Sequence, residues 1–115
     1  MLNLILPFPP SVNSYWGFKG SHRYLTPKAK DFKHSVFWLF RQSQHKGFGG
    51  HRIDVSIVLQ APDRRTRDLD NYLKSLLDAL TQAGVYNDDS QIDRLVVTRG
   101  DIIQGGLARV SIQII

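Results

Sequence analysis

Asp68 and Asp70 stand two apart in the stretch Asp63-Arg-Arg-Thr-Arg-Asp-Leu-Asp-Asn71. Lys74 lies just beyond it, and a second acidic pair, Asp88-Asp89, follows a run of aliphatic residues. Carboxylates suit a hard divalent cation: Mg²⁺ needs only one or two of them, keeps several waters and takes its other ligands from substrate phosphates. In extended backbone Asp68 and Asp70 project from the same side and can hold one ion together. Arg64, Arg65 and Arg67 attract a polyanion, and an arginine fork matches phosphate oxygens. Lys74, one turn past Asp70, can point back at the same pocket as a phosphate clamp or a stabiliser of a leaving oxygen. Acids, lysine and arginines together suit phosphodiester hydrolysis, in which a metal polarises the phosphoryl group and lowers the pKa of a water. Plainer readings stand beside this one. Asp70 can cap a helix, and Asp68 can pair with Arg64 or Arg65 in an exposed salt bridge of small worth. Bringing Asp88-Asp89 to the site requires the Val85–Gln91 connection, or the strand after it, to fold back along a helix ~20 Å long.

Charge supports an anionic partner. Lys and Arg number 15 against 10 acids, a net charge of +5, and every acid is Asp. Basic residues dominate the first half, whose one acid before His51 is Asp31, whereas most acids fall between Asp63 and Asp93. A local knot of acids in a basic chain calls for a cation, either arginine or metal, and the basic excess for nucleic acid or a membrane surface. There is no cysteine, which excludes disulfides, thiolate zinc sites and thiol nucleophiles. No apolar run approaches the ~20 residues of a membrane span. The N-terminus lacks a basic region and a cleavage site, so it does not read as a signal peptide, and the cytoplasm is the expected location. His22, His34, His45 and His51 show no metal-ligand spacing, and there is no P-loop and no Gly-x-Ser-x-Gly.

The elements that must position these residues read as β-loop-α-β-α-β-β. Leu2–Leu6 is a strand stopped by Pro7, Pro9 and Pro10. Ser11 to Thr26 reads as an extended loop. Its aromatics cover one end of the core, or one or two of them, with Lys19 and Arg23, stack on unpaired bases. Thr26-Pro27 opens a helix with Thr as N-cap, and Ala29, Phe32, Val36, Leu39 and Phe40 recur on one face. Gly47, Gly49 and Gly50 are expected to end it. Ile53 to Leu59 alternates as a half-buried strand. A second helix is expected from about Asp70 to Ala83, closed by Gly84, with Lys74 and Asp78 paired on its surface. Leu95–Arg99 and Leu107–Ile114 read as strands forming a hairpin through Gly100, Gly105 and Gly106, with Ala108, Val110, Ile112 and Ile114 on one face. The 115 residues suffice for one domain with one core. The expected class is α/β (α+β), a small mixed four-stranded sheet with two main helices.

The motifs resemble those of the RusA family of Holliday junction resolvases, small endonucleases. Leu6-Pro-Phe-Pro-Pro-Ser-Val-Asn13 looks like the family's N-terminal element. Pro62-Asp-Arg-Arg-Thr-Arg-Asp-Leu-Asp-Asn71 resembles its central signature. Asp78-Ala-Leu-Thr-Gln-Ala-Gly84 and Asn87-Asp-Asp-Ser-Gln91 match its later blocks. The resemblance implies a metal-binding triad of Asp68, Asp70 and Asp89, with Asp88 and Asn71 as supporting neighbours and Lys74 catalytic. It implies DNA contacts from Arg64, Arg65, Arg67, Lys74 and Asn13. It further implies Mg²⁺ dependence with Mn²⁺ as a substitute, a homodimer, and symmetric nicking of two opposing strands of a four-way junction. Asn87 departs from the family, where an apolar residue is familiar. Three rivals stand against this reading: a less selective branched-DNA nuclease, a non-catalytic nucleic-acid-binding domain whose acids only order the arginines, and a structural or assembly protein.

Overall fold

The computed structural model describes residues 1–115. Three segments of alternating apolar residues become strands that bury one face: β1 (Leu2–Leu6), β4 (Ile53–Gln60) and β6 (Leu107–Ile114). Between the first two lie β2 (Trp16–Lys19), β3 (His22–Leu25) and helix α1 (Pro27–Ser43); α2 (Leu73–Ala83) and β5 (Ile92–Arg99) follow β4. The main sheet has the order β1-β6-β4-β5, with β4 and β5 parallel and the other pairs antiparallel. Both helices contribute to one core with the inward residues of the sheet: Phe32, Val36 and Phe40 from α1, and Leu76, Ala79 and Leu80 from α2. No helix is long and apolar enough to cross a membrane.

The mixed four-stranded sheet and two helices agree with the expected class; several details do not. β5 and β6 form no hairpin. β5 lies beside β4, reached through a β-α-β crossover over α2, and β6 inserts between β1 and β4. A parallel neighbour needs a long crossover, which α2 supplies, so the glycines after β5 serve a connection that passes β4 to reach β6 and do not join two paired strands. β5 also starts at Ile92, earlier than expected, because it is an edge strand with most residues exposed and so lacks clean alternation. On β6 the last aliphatic of the expected face, Ile114, is exposed. Helix α1 has the expected Thr26 cap, whose Oγ1 accepts from Ala29 N, but it ends before the glycines. Gln44 takes the left-handed conformation (φ 61°) at its C-terminus, and Ser43 Oγ donates to the Phe40 carbonyl.

Ser11 to Thr26 is no extended loop. It holds a one-turn 3-10 segment, Val12–Ser14, and the antiparallel hairpin β2–β3. Lys19 pairs with His22, so Gly20-Ser21 is a two-residue turn, with Gly20 at φ 65°. Such turns require a positive φ that glycine supplies without strain, and Gly-Ser between Phe18 and Tyr24 was the signal available in the sequence.

A candidate metal centre and nucleic-acid interface

The β4-to-α2 junction carries the central motif. Asp68 is extended (φ −87°, ψ 132°), but Asp70 is not: it lies in a 3-10 turn, Leu69–Tyr72, closed by Asn71 N donating to the Asp68 carbonyl. The expected extended Asp-x-Asp is thus replaced by a turn that leads into α2. Residue Tyr72 occupies the N-cap position of α2, and no side chain caps it, so Asp70 is not the helix cap. Nor does Asp68 pair with an arginine. The arginines nearest it bind Asp63 instead: Arg67 Nη1 lies 2.8 Å from Asp63 Oδ1 and Arg65 Nη2 3.2 Å from Oδ2. These bonds, Arg67's first, hold the Asp63 carboxyl well below the usual carboxylate range. Asp68 and Asp70 are exposed and have no hydrogen-bond or ion-pair partner of their own. Two unpartnered, oxygen-bearing side chains beside a cationic loop form a donor set that fits a hard divalent cation.

The three arginines differ. The Arg67 side chain is 11% exposed, lies over the Phe8 ring, and donates to the carbonyls of Asp63 and Arg65. It braces the loop from within. Arg64 and Arg65 face solvent. Beside them an open cleft of about 440 Å³ runs between this loop and the N-terminal segment, lined by Ser11, Ser14, Lys28, Arg65, Thr66 and Arg67 among others. Hydroxyls and cations lining one cleft suit a phosphate backbone. The turn Val12–Ser14, which carries Asn13, packs against the turn carrying Asp70 and Asn71.

Asp89 lies elsewhere. Its Oδ1 accepts hydrogen bonds from Thr81 Oγ1 (2.8 Å) and the Tyr86 hydroxyl (3.2 Å). Thr81 is on the last turns of α2, ~12 Å of helical rise from Leu73. Asp68 and Asp70 sit where β5 ends, since Arg99 donates to the Arg67 carbonyl, whereas Asp89 sits just before β5 begins. The connection after α2 does not fold back to the first pair. No three His, Asp or Glu side chains of a single chain gather to hold a metal ion.

A family model described as endodeoxyribonuclease RusA matches residues 7–115. The chain belongs to the RusA family. It is 41% identical over 108 residues to the crossover junction endodeoxyribonuclease of Enterobacteria phage HK97, covering 94% of this chain and 90% of that one. It is 30% identical over 110 residues to the phage 82 protein of the same name (96% and 92% covered). To the Escherichia coli K12 protein it is 29% identical over 110 residues, with the same coverage.

Around the RusA motifs the structure bears out one pair that spacing gave and adds two residues, Tyr15 and Gln91, that it did not single out. Lys74 reaches forward to Asp78, Nζ to Oδ2 3.2 Å, as the i,i+4 spacing predicts, and not back toward Asp70. The buried Tyr15 donates its hydroxyl to the same Oδ2 at 2.8 Å. Burial and then the Asp78 bond push the Tyr15 hydroxyl above its ordinary pKa. Lys33 lies over the Tyr15 ring; burial lowers its pKa, with Asp78 opposing and Lys74 adding to the shift. Asp78 thereby joins the N-terminal segment to the helix that carries Lys74.

Gln91 is the second residue missed. Its Oε1 accepts from the backbone N–H of Asn87 (3.0 Å) and Asp88 (2.9 Å), and its Nε2 donates to the carbonyls of Gly49 (2.8 Å) and His51 (2.7 Å). Asp88 and Gln91 form a capping box, and the Asp88 carboxylate also accepts from Ser90 N at 2.9 Å. The sequence signal was Asp88-x-x-Gln91, the spacing such a box requires. A buried group with this many bonds leaves several orphans when truncated, each worth ~1–3 kcal/mol. Gln91→Ala is therefore expected to lower unfolding free energy by ~3 kcal/mol and to release the Asp88-Asp89 turn. Urea denaturation measures the first effect and amide exchange at Asp89 and Ser90 the second; an unchanged midpoint would refute this anchoring role.

Proposed function

We propose that this chain is a Mg²⁺-dependent endodeoxyribonuclease that resolves four-way junctions by nicking two opposing strands as a homodimer. The observation that carries the reading is the unpartnered Asp68 and Asp70 at the mouth of an arginine loop, in a chain of the RusA family. The crossover junction activity named for its relatives supports the substrate. Asp68 and Asp70 would hold the ion, with Mn²⁺ as a substitute. When bound, the ion supplies Lewis acidity toward a phosphoryl oxygen and eases deprotonation of water. Arg64, Arg65 and the cleft hydroxyls bind the flanking phosphates and set the strand's register. Arg67, tied to Asp63, keeps that loop in shape. Lys74, paired here with Asp78, would turn from it to supply positive charge near the leaving oxygen, and the Tyr15–Asp78 bond fixes its helix to the N-terminal segment. Asn13 and Asn71, on two turns that pack together, would contact the approaching strand, and Asp88 shapes the turn of Asp89.

Asp89 supports the dimer. Within one chain it lies at the opposite end of β5 from Asp68 and Asp70, and β5 is a sheet edge. A second copy pairing antiparallel along that edge sets the start of one β5 beside the end of the other. Asp89 of each copy then meets the partner's Asp68 and Asp70, and two equivalent sites arise. A four-way junction has the same two-fold symmetry. The test is incubation with labelled four-way junction and linear duplex, in Mg²⁺ or in EDTA. Paired nicks confined to the junction in Mg²⁺ are expected. Equal cutting of duplex would leave only a general nuclease, and binding without cutting only a binding domain.

A further inference from the structure

We infer that the β2–β3 hairpin is a stacking platform for unpaired bases at a DNA branch point, with Phe18 the residue that stacks. The inference rests on the nucleic-acid reading above and names a contact which that reading leaves open. Of the six phenylalanines, five are buried or half-buried, and Phe18 alone is exposed, at 70%. It has no place in the core. Side chains alternate across a strand pair, so Trp16 and Phe18 share one face with Arg23, the residue opposite Phe18. The Arg23 guanidinium lies 4.0 Å from the Trp16 ring centroid. Trp16 in turn meets the buried Tyr15 edge-on at 5.1 Å. Trp16 and Arg23 are thus stacked on one another, and Phe18, opposite Arg23 on the same face, is left free.

The hairpin holds this arrangement in place without a ligand. The Tyr24 ring covers Gly17 so closely that a Cβ there would lie 2.4 Å from it. Thr26 Oγ1 donates to the Ser14 carbonyl, and Tyr15 is bonded to Asp78 on α2. An aromatic that needs no ordering on binding keeps its stacking free energy. Charge identifies the partner. Arg23 stands opposite Phe18, Lys19 and His22 form the next pair toward the turn, and no acid occurs in the chain before Asp31. A cationic tip attracts a polyanion, but a benzyl ring stacks only on a base that is not already stacked on both sides. Paired duplex offers phosphates and no such base; a branch point offers both. Stacking on any base also makes the contact tolerant of sequence.

The experiment is equilibrium binding in EDTA, so that no cleavage intervenes. It uses a four-way junction with 2-aminopurine at the branch and the matching linear duplex. Wild type is expected to quench 2-aminopurine and to prefer the junction. Phe18→Ala is expected to bind the junction about tenfold more weakly, the scale of one base–aromatic stack, to lose the quench, and to bind duplex as before. Phe18→Trp is expected to keep both. If wild type prefers the junction and Phe18→Ala binds and quenches equally well, the platform is refuted while the nuclease reading stands. If wild type shows no junction preference, the junction-selective reading fails and the platform with it. If Phe18→Ala instead dissociates a dimer measured by light scattering, Phe18 belongs to a protein interface and the inference is overturned.

Discussion

Asp70→Asn is expected to abolish cleavage of a four-way junction, by roughly a thousandfold or more, while binding in EDTA stays unchanged or tightens. The size follows from what a bound divalent ion contributes, several kcal/mol of transition-state stabilisation, at tenfold in rate per ~1.4 kcal/mol. Asparagine has nearly the shape of aspartate but one neutral oxygen in place of a delocalised carboxylate, so it weakens a hard cation site without a steric change. Removing one negative charge beside a polyanion does not weaken its binding. The fold should be unaffected. Asp70 is exposed, makes no cap bond and pairs with no arginine. A thermal midpoint within about a degree of wild type, together with junction binding and no nicking, is the expected set. Nicking at the wild-type rate would remove Asp70 from the ion site, and a large loss of stability would assign it a structural role instead.

How much of this was legible in the sequence depends on the range of the interaction that decides each feature. Local patterns carried well. Leu2, Leu4 and Leu6, and Ile53, Val55, Ile57 and Leu59, alternate and are all buried. Thr26 caps α1 as its position before Pro27 suggests. Strand neighbours did not carry. Nothing in the Ile92–Arg99 segment says that its partner is β4 in parallel rather than β6, because pairing is settled by how α2 packs across the sheet. The hairpin went unread because its aromatics matched both a loop over the core and a strand pair, and only the Gly20-Ser21 turn separates the two. In the site, Asp68 and Asp70 are neighbours by sequence, but the turn that replaces the expected extended backbone between them was not legible. Nor was the place of Asp89. Gln91 ties its turn to Gly49 and His51, near the start of β4, and so fixes it at the far end of the sheet from Asp68. Asp63 was visible as an acid among arginines, but only the structure shows that it takes both Arg65 and Arg67 and so leaves Asp68 unpaired.

Mixing two inactive variants is expected to restore cutting, and to restore it in an altered form. Asp89→Asn keeps an acceptor for Thr81 and Tyr86, so its turn should persist while the carboxylate is lost. Alone it should be as inactive as Asp70→Asn. When the two are unfolded together and refolded, roughly half of the dimers contain one copy of each, by random pairing in a two-fold assembly. If Asp89 serves the site of its own chain, both sites of the mixed dimer are damaged and the mixture stays dead. If it crosses to the partner, one site receives both changes and the other receives neither. The mixed dimer then has a single intact centre. It should nick one strand of the junction but not the opposing one, yielding nicked junctions instead of resolved duplexes. Gel analysis with each strand labelled in turn separates these products. Single nicks from the mixture, with none from either variant alone, would place Asp89 in trans. That would explain why the three carboxylates of one chain lie at opposite ends of β5 and do not gather by themselves.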